Sequence, residues 1–484
     1  MEKVSASPET LQENVVSLWG LISQSISGMA PTCDVVAFMT AGAAFALVAL
    51  PLSYLWAFAL MFIEVNTIYH LSKHRASAGG YYAYVAVGLG ARPALLTGFM
   101  VVFYQLLSVA GIPVYVGGVF LPGLAKSLGY PLPAWFWLVS IVFFIGIPWL
   151  LSISGIRPSI RVVAITSFVE VAFLVVASMI IIVKAAPVHP LAPFSIPTDG
   201  FKGVAMGMIF AITSFIGIGS HTPLGEEVRG PRTQRGRLIG KAALLSLTLV
   251  GAALVLSAYA LTVGWGPADM GSFAHANAPG VTVFLRYLGP VGGIALVVLA
   301  INSAMADTLA LLNSSSRVLF AIGRDALISE RFAQVSGAQA PQRSISMITG
   351  LTIFVAVLAV AVFGASNGFN VLTTAVLFGL VTAHTLMNVS LMRLAHADHE
   401  GTRTRLFYHF LLPVVATGLF WWVLYESIVP LAYPLDWSLA AWLGFTLLVL
   451  AYVFRVHGHI HPNRRHRLGT AQENDLSENV VVKN

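Results

Sequence analysis

Hydrophobic runs recur along almost the whole chain, separated by short polar or Gly- and Pro-rich pieces. A helix crossing the ~30 Å hydrocarbon core needs about 20 mainly apolar residues. Twelve runs meet that length: 14–42, 44–70, 93–122, 134–153, 159–184, 203–224, 238–264, 288–320, 344–364, 370–394, 406–430 and 437–455. No cleavable signal peptide is expected. The first run is too long for one, and the segment before it carries acids as well as Lys3.

Two runs are interrupted. The first contains Ser27-Gly28-Met29-Ala30-Pro31-Thr32-Cys33, and the sixth contains Ser214-Phe215-Ile216-Gly217-Ile218-Gly219-Ser220-His221-Thr222-Pro223. Proline removes a helical donor and clashes with the carbonyl four residues back, and glycine lowers the cost of opening the helix nearby. Lipid cannot satisfy the freed backbone groups, so such breaks survive only where protein buries them or a cavity receives them.

The breaks fall in the first and sixth spans, five apart. Two halves of five spans, each opening on an interrupted helix, predict an inverted repeat, because an odd number of crossings turns the second half over. The expected fold is an all-α polytopic membrane protein with 12 transmembrane helices. It consists of a 5+5 inverted repeat with discontinuous helices 1 and 6, plus two peripheral helices. The corresponding divisions are an N-terminal tail over 1–13, repeats over 14–184 and 185–394, peripheral helices over 395–455, and a disordered tail over 456–484. Opened helices offer free amides and carbonyls to a charged guest. The expected substrate walls are Ser27, Gly28, Ala30, Pro31 and Thr32 on one side, and Phe215, Ile216, Gly217, Ile218 and Gly219 on the other.

Composition narrows the class. Of the 484 residues 57% are hydrophobic and 10% charged, against about 25% charged in a typical soluble domain. There are too few charges to coat soluble domains, which excludes a soluble enzyme and a disordered chain. A lone Cys33 cannot form an internal disulfide. The formal charge of +7 is a topology signal. Of 27 Lys and Arg, only Lys126, Lys184, Lys202 and Arg286 fall opposite the tails and alternate loops. That bias predicts cytoplasmic termini in a bacterial-type inner membrane, with the lipid bilayer as partner. Nucleic acid is not an expected partner, since no loop is long enough to fold a basic face.

Few acids lie within the spans: Asp34, Glu64, Glu170 and Asp307. Each costs roughly 2.5–3.5 kcal/mol on insertion scales, so each is expected to face a cavity or a partner. Asp34, just past the first break, suits either a substrate amine or a helix cap. Ser303 and Asp307, four apart, share a helix face. Tyr104 and Gln105 are weaker polar candidates. His221 reads as a satisfied structural histidine before a pH sensor, and His384 with Asn388 is equally ambiguous. His457, His459, His461 and His466 form a basic flexible tail rather than a metal site. No P-loop, HExxH, Cys/His cluster or Gly-x-Ser-x-Gly elbow occurs, so neither an ATP-driven engine nor a metal or cofactor is expected.

Four stretches then carry a resemblance. Ser77-Ala78-Gly79-Gly80-Tyr81-Tyr82-Ala83-Tyr84, Gly155-Ile156-Arg157 with Arg161, Gly225-Glu226-Glu227-Val228-Arg229-Gly230-Pro231-Arg232 and Ser316 to Asp325 occur in that order. With the two breaks they resemble the amino acid–polyamine–organocation superfamily, in particular its prokaryotic amino acid permeases, over about residues 14 to 394. The resemblance implies substrate held by the opened parts of spans 1 and 6, and alternating access. It also implies that spans 1, 5 and 8 meet near an ion site, where Glu170, Ser303 and Asp307 are the candidates for coupling a proton or sodium ion. Glu226, Glu227, Arg229 and Arg232 are expected in cytoplasmic ion pairs, with Arg317, Arg324 and Asp325 as partners. Two departures stand out. Many members place an aromatic residue and then Glu where this chain has Ile218 and Gly219. Some proton-coupled members carry a lysine at the position of Glu170.

The expected function is a secondary active transporter for an amino acid or related amine, by proton symport. Polyamine, ethanolamine or inorganic-cation transport on the same fold is the alternative. A polytopic membrane transferase or sensor is the alternative of a different class.

Overall fold

The computed structural model describes residues 10–197, 200–395, 402–429 and 433–456. These are almost wholly helical. The first third comprises α1 (Leu18–Gly28), α2 (Pro31–Val36), α3 (Phe38–Ala46), α4 (Leu50–His74), α5 (Tyr81–Leu89), α6 (Ala91–Tyr115), α7 (Leu121–Ser127) and α8 (Phe136–Ile153). Then come α9 (Ile156–Ala185), α10 (Lys202–Thr213), α11 (Arg232–Trp265), α12 (Met270–Phe273) and α13 (Pro279–Arg324). The chain continues with α14 (Gln342–Phe363), α15 (Ala365–Leu394), α16 (Thr402–Leu406), α17 (Leu412–Ile428) and α18 (Asp436–Val456).

Among the described residues, 11 helical stretches are long and apolar enough to cross a membrane. The first expected span is not one of them as a single helix, because it is divided into α1, α2 and α3. The turn towards the second span lies at Leu47–Ala49, not at residue 43 as the hydrophobic pattern suggested. Leu47 takes φ 48, and Pro51 then sits in the first turn of α4, where a missing N–H costs nothing. Two more breaks were not expected. Helix α13 begins well before residue 288 and is interrupted at Gly289 (φ 71), next to Pro290. One π turn (Val116–Phe120) joins α6 to α7, and another (Phe407–Leu411) joins α16 to α17.

Burial sorts the helices into inner and outer. The apolar window of Lys202–Leu224 is 89% buried and that of Ala91–Ser127 83%, against 11% for Asp436–Val456. Helices α4 and α11 pack along their lengths, as do α6 and α15, and α13 touches α2, α6, α8 and α9. The interrupted pieces thus lie at the centre and the C-terminal span at the rim. Outward faces carry exposed Leu, Val, Ile and Phe, which suits lipid rather than water. Part of the expected N-terminal tail is packed: Leu11 is buried, and Glu13 reaches Arg232 and Arg235. The tail histidines His457, His459, His461 and His466 lie outside the described residues.

Candidate functional site

The first break is built by Pro31. Helix α1 is capped by Ser17, whose Oγ accepts the Gly20 N–H at 3.2 Å, and it runs to Gly28. Ala30 then turns left-handed (φ 43, ψ 55), and Pro31 starts α2 at the position where its missing donor is harmless. An alanine in that region costs of order 1 kcal/mol, a strain held by the packing around it.

The second break is longer. Helix α10 ends at Thr213, and two short 3-10 turns follow, Ile216–Gly219 and Thr222–Leu224. The α-helix does not resume until Arg232. The interruption expected over Ser214 to Pro223 thus reaches past the end of the expected span at residue 224. Gly217 and Gly219 are costly in a helix, and Pro223 cannot supply its N–H.

The two breaks meet backbone to backbone. A Cβ on Gly217 would lie 2.0 Å from the Gly28 carbonyl carbon and 2.4 Å from the Met29 nitrogen. Ser25 Oγ lies 3.3 Å from the carbonyl oxygens of both Gly217 and Ile218, and Ser220 Oγ donates to the Gln24 carbonyl at 3.1 Å. Of the ten expected wall residues, Ser27, Gly28, Ala30, Pro31 and Thr32 are buried from one side, and Phe215, Ile216, Gly217, Ile218 and Gly219 from the other. Gly28 and Gly217 touch, so a guest has room only beside that contact. The buried Ser27 Oγ makes no hydrogen bond.

Beside them lie the membrane acids. Asn302 Nδ2 donates to Glu170 Oε1 at 2.6 Å, and Thr32 and Ser303 sit next to that carboxylate. Asp34 shares the neighbourhood with Ser214, Asp307 and Glu170. Asp34 and Asp307 are fully buried; Ser214 is the hydrogen-bonding neighbour of the Asp34 carboxylate, whereas neither Asp307 oxygen has a partner among the described residues. Helices α2, α9 and α13 meet here. Unpaired buried carboxylates are among the costliest groups a fold can hold. Their chemistry suits a cation, an amine or a proton.

Tyr81 closes a further side, and sequence reasoning did not find it. A Cβ on Gly219 would fall 1.9 Å from the Tyr81 hydroxyl, so the phenol occupies the place of a residue-219 side chain. The departure at Gly219 was the available signal: a missing large side chain asks what fills its volume. Gly80 (φ 50) delivers Tyr81 by packing on Thr222 and Pro223. The Tyr81 ring meets the edge of His384, centroids 5.4 Å apart. His384 Nδ1 lies 2.7 Å from Glu64 Oε1, and Asn388 Nδ2 donates to Glu64 Oε2 at 2.9 Å. Glu64, His384 and Asn388 thus satisfy one another. His221 Nε2 meets the Ile239 carbonyl at 3.0 Å, which fits a structural role. Tyr104 and Gln105 are buried nearby.

At the arginine-rich end the acids after the second break are fully paired. Arg317 grips Glu227 through Nε at 2.6 Å and Nη2 at 3.0 Å, with both side chains buried. Arg324 holds Glu226 through two bonds of 2.7 and 2.9 Å. Burial alone would lift the Glu226 carboxyl, but those bonds and the Arg324 charge outweigh it and hold it below the usual carboxylate range. Tyr82 donates to Asp325 at 2.5 Å. Arg232 reaches Glu13 at 3.2 Å, and its charge also acts on Glu226. Val15 and Val16 N–H groups both donate to the Glu227 carbonyl, so the lead-in to α1 is stitched to the same loop.

Compared with known proteins, residues 20–467 match the amino acid permease family. A search of curated proteins gave no match.

Proposed function

The chain belongs to the amino acid permease family, a family of amino acid transporters, and from that premise we propose a proton-coupled secondary active transporter working by alternating access. The observation that carries it is the meeting of two opened membrane helices beside a buried carboxylate, Asp307, that no described protein group satisfies. The substrate contacts the opened backbone from Ser27 to Thr32 and from Phe215 to Gly219. Its amine lies towards Asp34. Glu170, Ser303 and Asp307 form the coupling site, with Asp307 carrying the proton and Glu170 fixed by Asn302. Residues 14–184 and 185–394 are the two inverted halves, and twelve helices cross the inner membrane with both termini cytoplasmic.

In this reading the arginine-rich end is the closed inner gate. Arg317–Glu227 and Arg324–Glu226 join the end of α13 to the loop after the second break, and they part when the substrate is released inward. Uptake of labelled amino acids into proteoliposomes under an imposed pH gradient tests the reading. Accumulation that follows the gradient supports proton coupling. Accumulation that follows sodium and ignores pH rejects it, while leaving transport in place. Three buried carboxylates favour a second reading, a cationic amine or polyamine as cargo. Competition by a diamine that neutral amino acids fail to match would select it.

A further inference from the structure

A groove of about 470 Å³ opens at the arginine-rich end, away from the two helix breaks and from the paired acids Glu226 and Glu227. It runs between the segment leading into α1 and the first turns of α9. Its apolar floor includes Val15, Trp19 and Ile160, and Trp19 is 63% exposed. Around that floor stand Arg157, Arg161 and Arg229. Arg157 and Arg161 are four apart on α9 and so share a face. Arg229 is brought in by its own backbone, whose N–H donates to the Val16 carbonyl at 2.9 Å.

Among the described residues, none of these three guanidiniums makes a side-chain hydrogen bond or ion pair. The neighbouring Arg232, Arg235, Arg317 and Arg324 all reach a carboxylate. Three unpaired arginines over an apolar, outward-facing floor form a site that matches an anion attached to a hydrocarbon tail. Guanidinium groups bind phosphate oxygens in pairs, and an exposed tryptophan suits the depth where headgroup meets acyl chain.

We propose that this groove binds an anionic phospholipid, its phosphate held among Arg157, Arg161 and Arg229 and its acyl chain laid along Trp19 and Ile160. Basic pockets between helices hold such headgroups in other membrane proteins. The bound lipid would touch the lead-in to α1, the start of α9 and the loop after the second break together.

The test uses the purified full chain in detergent, titrated with phosphatidylglycerol, phosphatidylcholine or inorganic phosphate, and read by native mass spectrometry and thermal unfolding. Phosphatidylglycerol should be retained and should raise the unfolding temperature more than either of the others. An R157Q/R161Q/R229Q variant should lose that preference, with each arginine worth roughly fivefold in apparent affinity. Should the triple variant fail to fold, the exposed single changes R157Q and R161Q give the same readout at about fivefold each. Equal stabilisation by phosphatidylcholine would reduce the site to a greasy groove and overturn the proposal. An equal shift from inorganic phosphate alone would overturn the lipid assignment, and so would unchanged phosphatidylglycerol retention by the variants.

Discussion

The molecule treats its buried acids in two opposite ways. At the arginine-rich end Glu226 and Glu227 are gripped by Arg324 and Arg317, two bonds each. Beside the opened helices Asp307 is as deeply buried and has no partner among the described residues. Both arrangements carry the desolvation cost of a buried charge, but only the first recovers it within the chain. The lesson is that a satisfied carboxylate holds the fold together, while an unsatisfied one marks where something outside the chain is expected to bind.

The sharpest way to break this contrast is to remove one member of a satisfied pair. Arg317→Met leaves Glu227 charged and alone, and should cost about 3–5 kcal/mol, read as a fall in unfolding temperature. The double change with Glu227→Met should recover most of that loss. Asp307→Asn should do the reverse. The unfolding temperature should hold or rise, because an uncompensated charge has gone, while uptake into proteoliposomes falls. An asparagine variant that unfolds as readily as Arg317→Met would show that Asp307 was a structural group after all.

Gly219→Ala drives a methyl group into the Tyr81 phenol and should cost about 1–3 kcal/mol, as overpacked sites do. Adding Tyr81→Leu should restore part of it. Acid separates the pairs further. Because Arg324 lowers the Glu226 carboxyl below its unfolded value, the stability it contributes is complete above the ordinary carboxyl pKa of about 4.3. It is lost only as pH falls through the lowered value. Glu226→Gln should therefore lower stability at pH 7 and flatten the acid limb of the melting curve. The smallest effect belongs to Arg232–Glu13, whose side chains are 54% and 41% exposed. Replacing Arg232, which leaves Glu13 its contact with Arg235, should cost under about 1 kcal/mol, and less in high salt.

Much of the architecture was legible in the residues, because lipid leaves a chain few options. Runs of about 20 apolar residues have to be helices, and Pro31 with Gly28, like Gly217 with Pro223, can only interrupt them. The pairing of Glu226 and Glu227 with Arg324 and Arg317 was expected from the family resemblance and its topology, not from the residues alone. What stayed hidden depends on where separate helices touch. Nothing near Gly219 in sequence points to Tyr81, and nothing near Glu64 points to His384, 320 residues away. Gly289 and Pro290 stand at the very start of the run expected from 288, where they read as the end of a loop and not as a break within a longer helix. The length of the second break was also hidden, since the α-helix resumes only at Arg232, well past Pro223.

The overlap of the Tyr81 phenol with the space in front of Gly219 makes these positions two addresses for a single parcel of volume. A descendant that enlarges one must shrink the other in the same step or soon after. Drift at either position is therefore tied to a residue in a different helix, and any redesign of the cargo chamber has to treat the two as one choice.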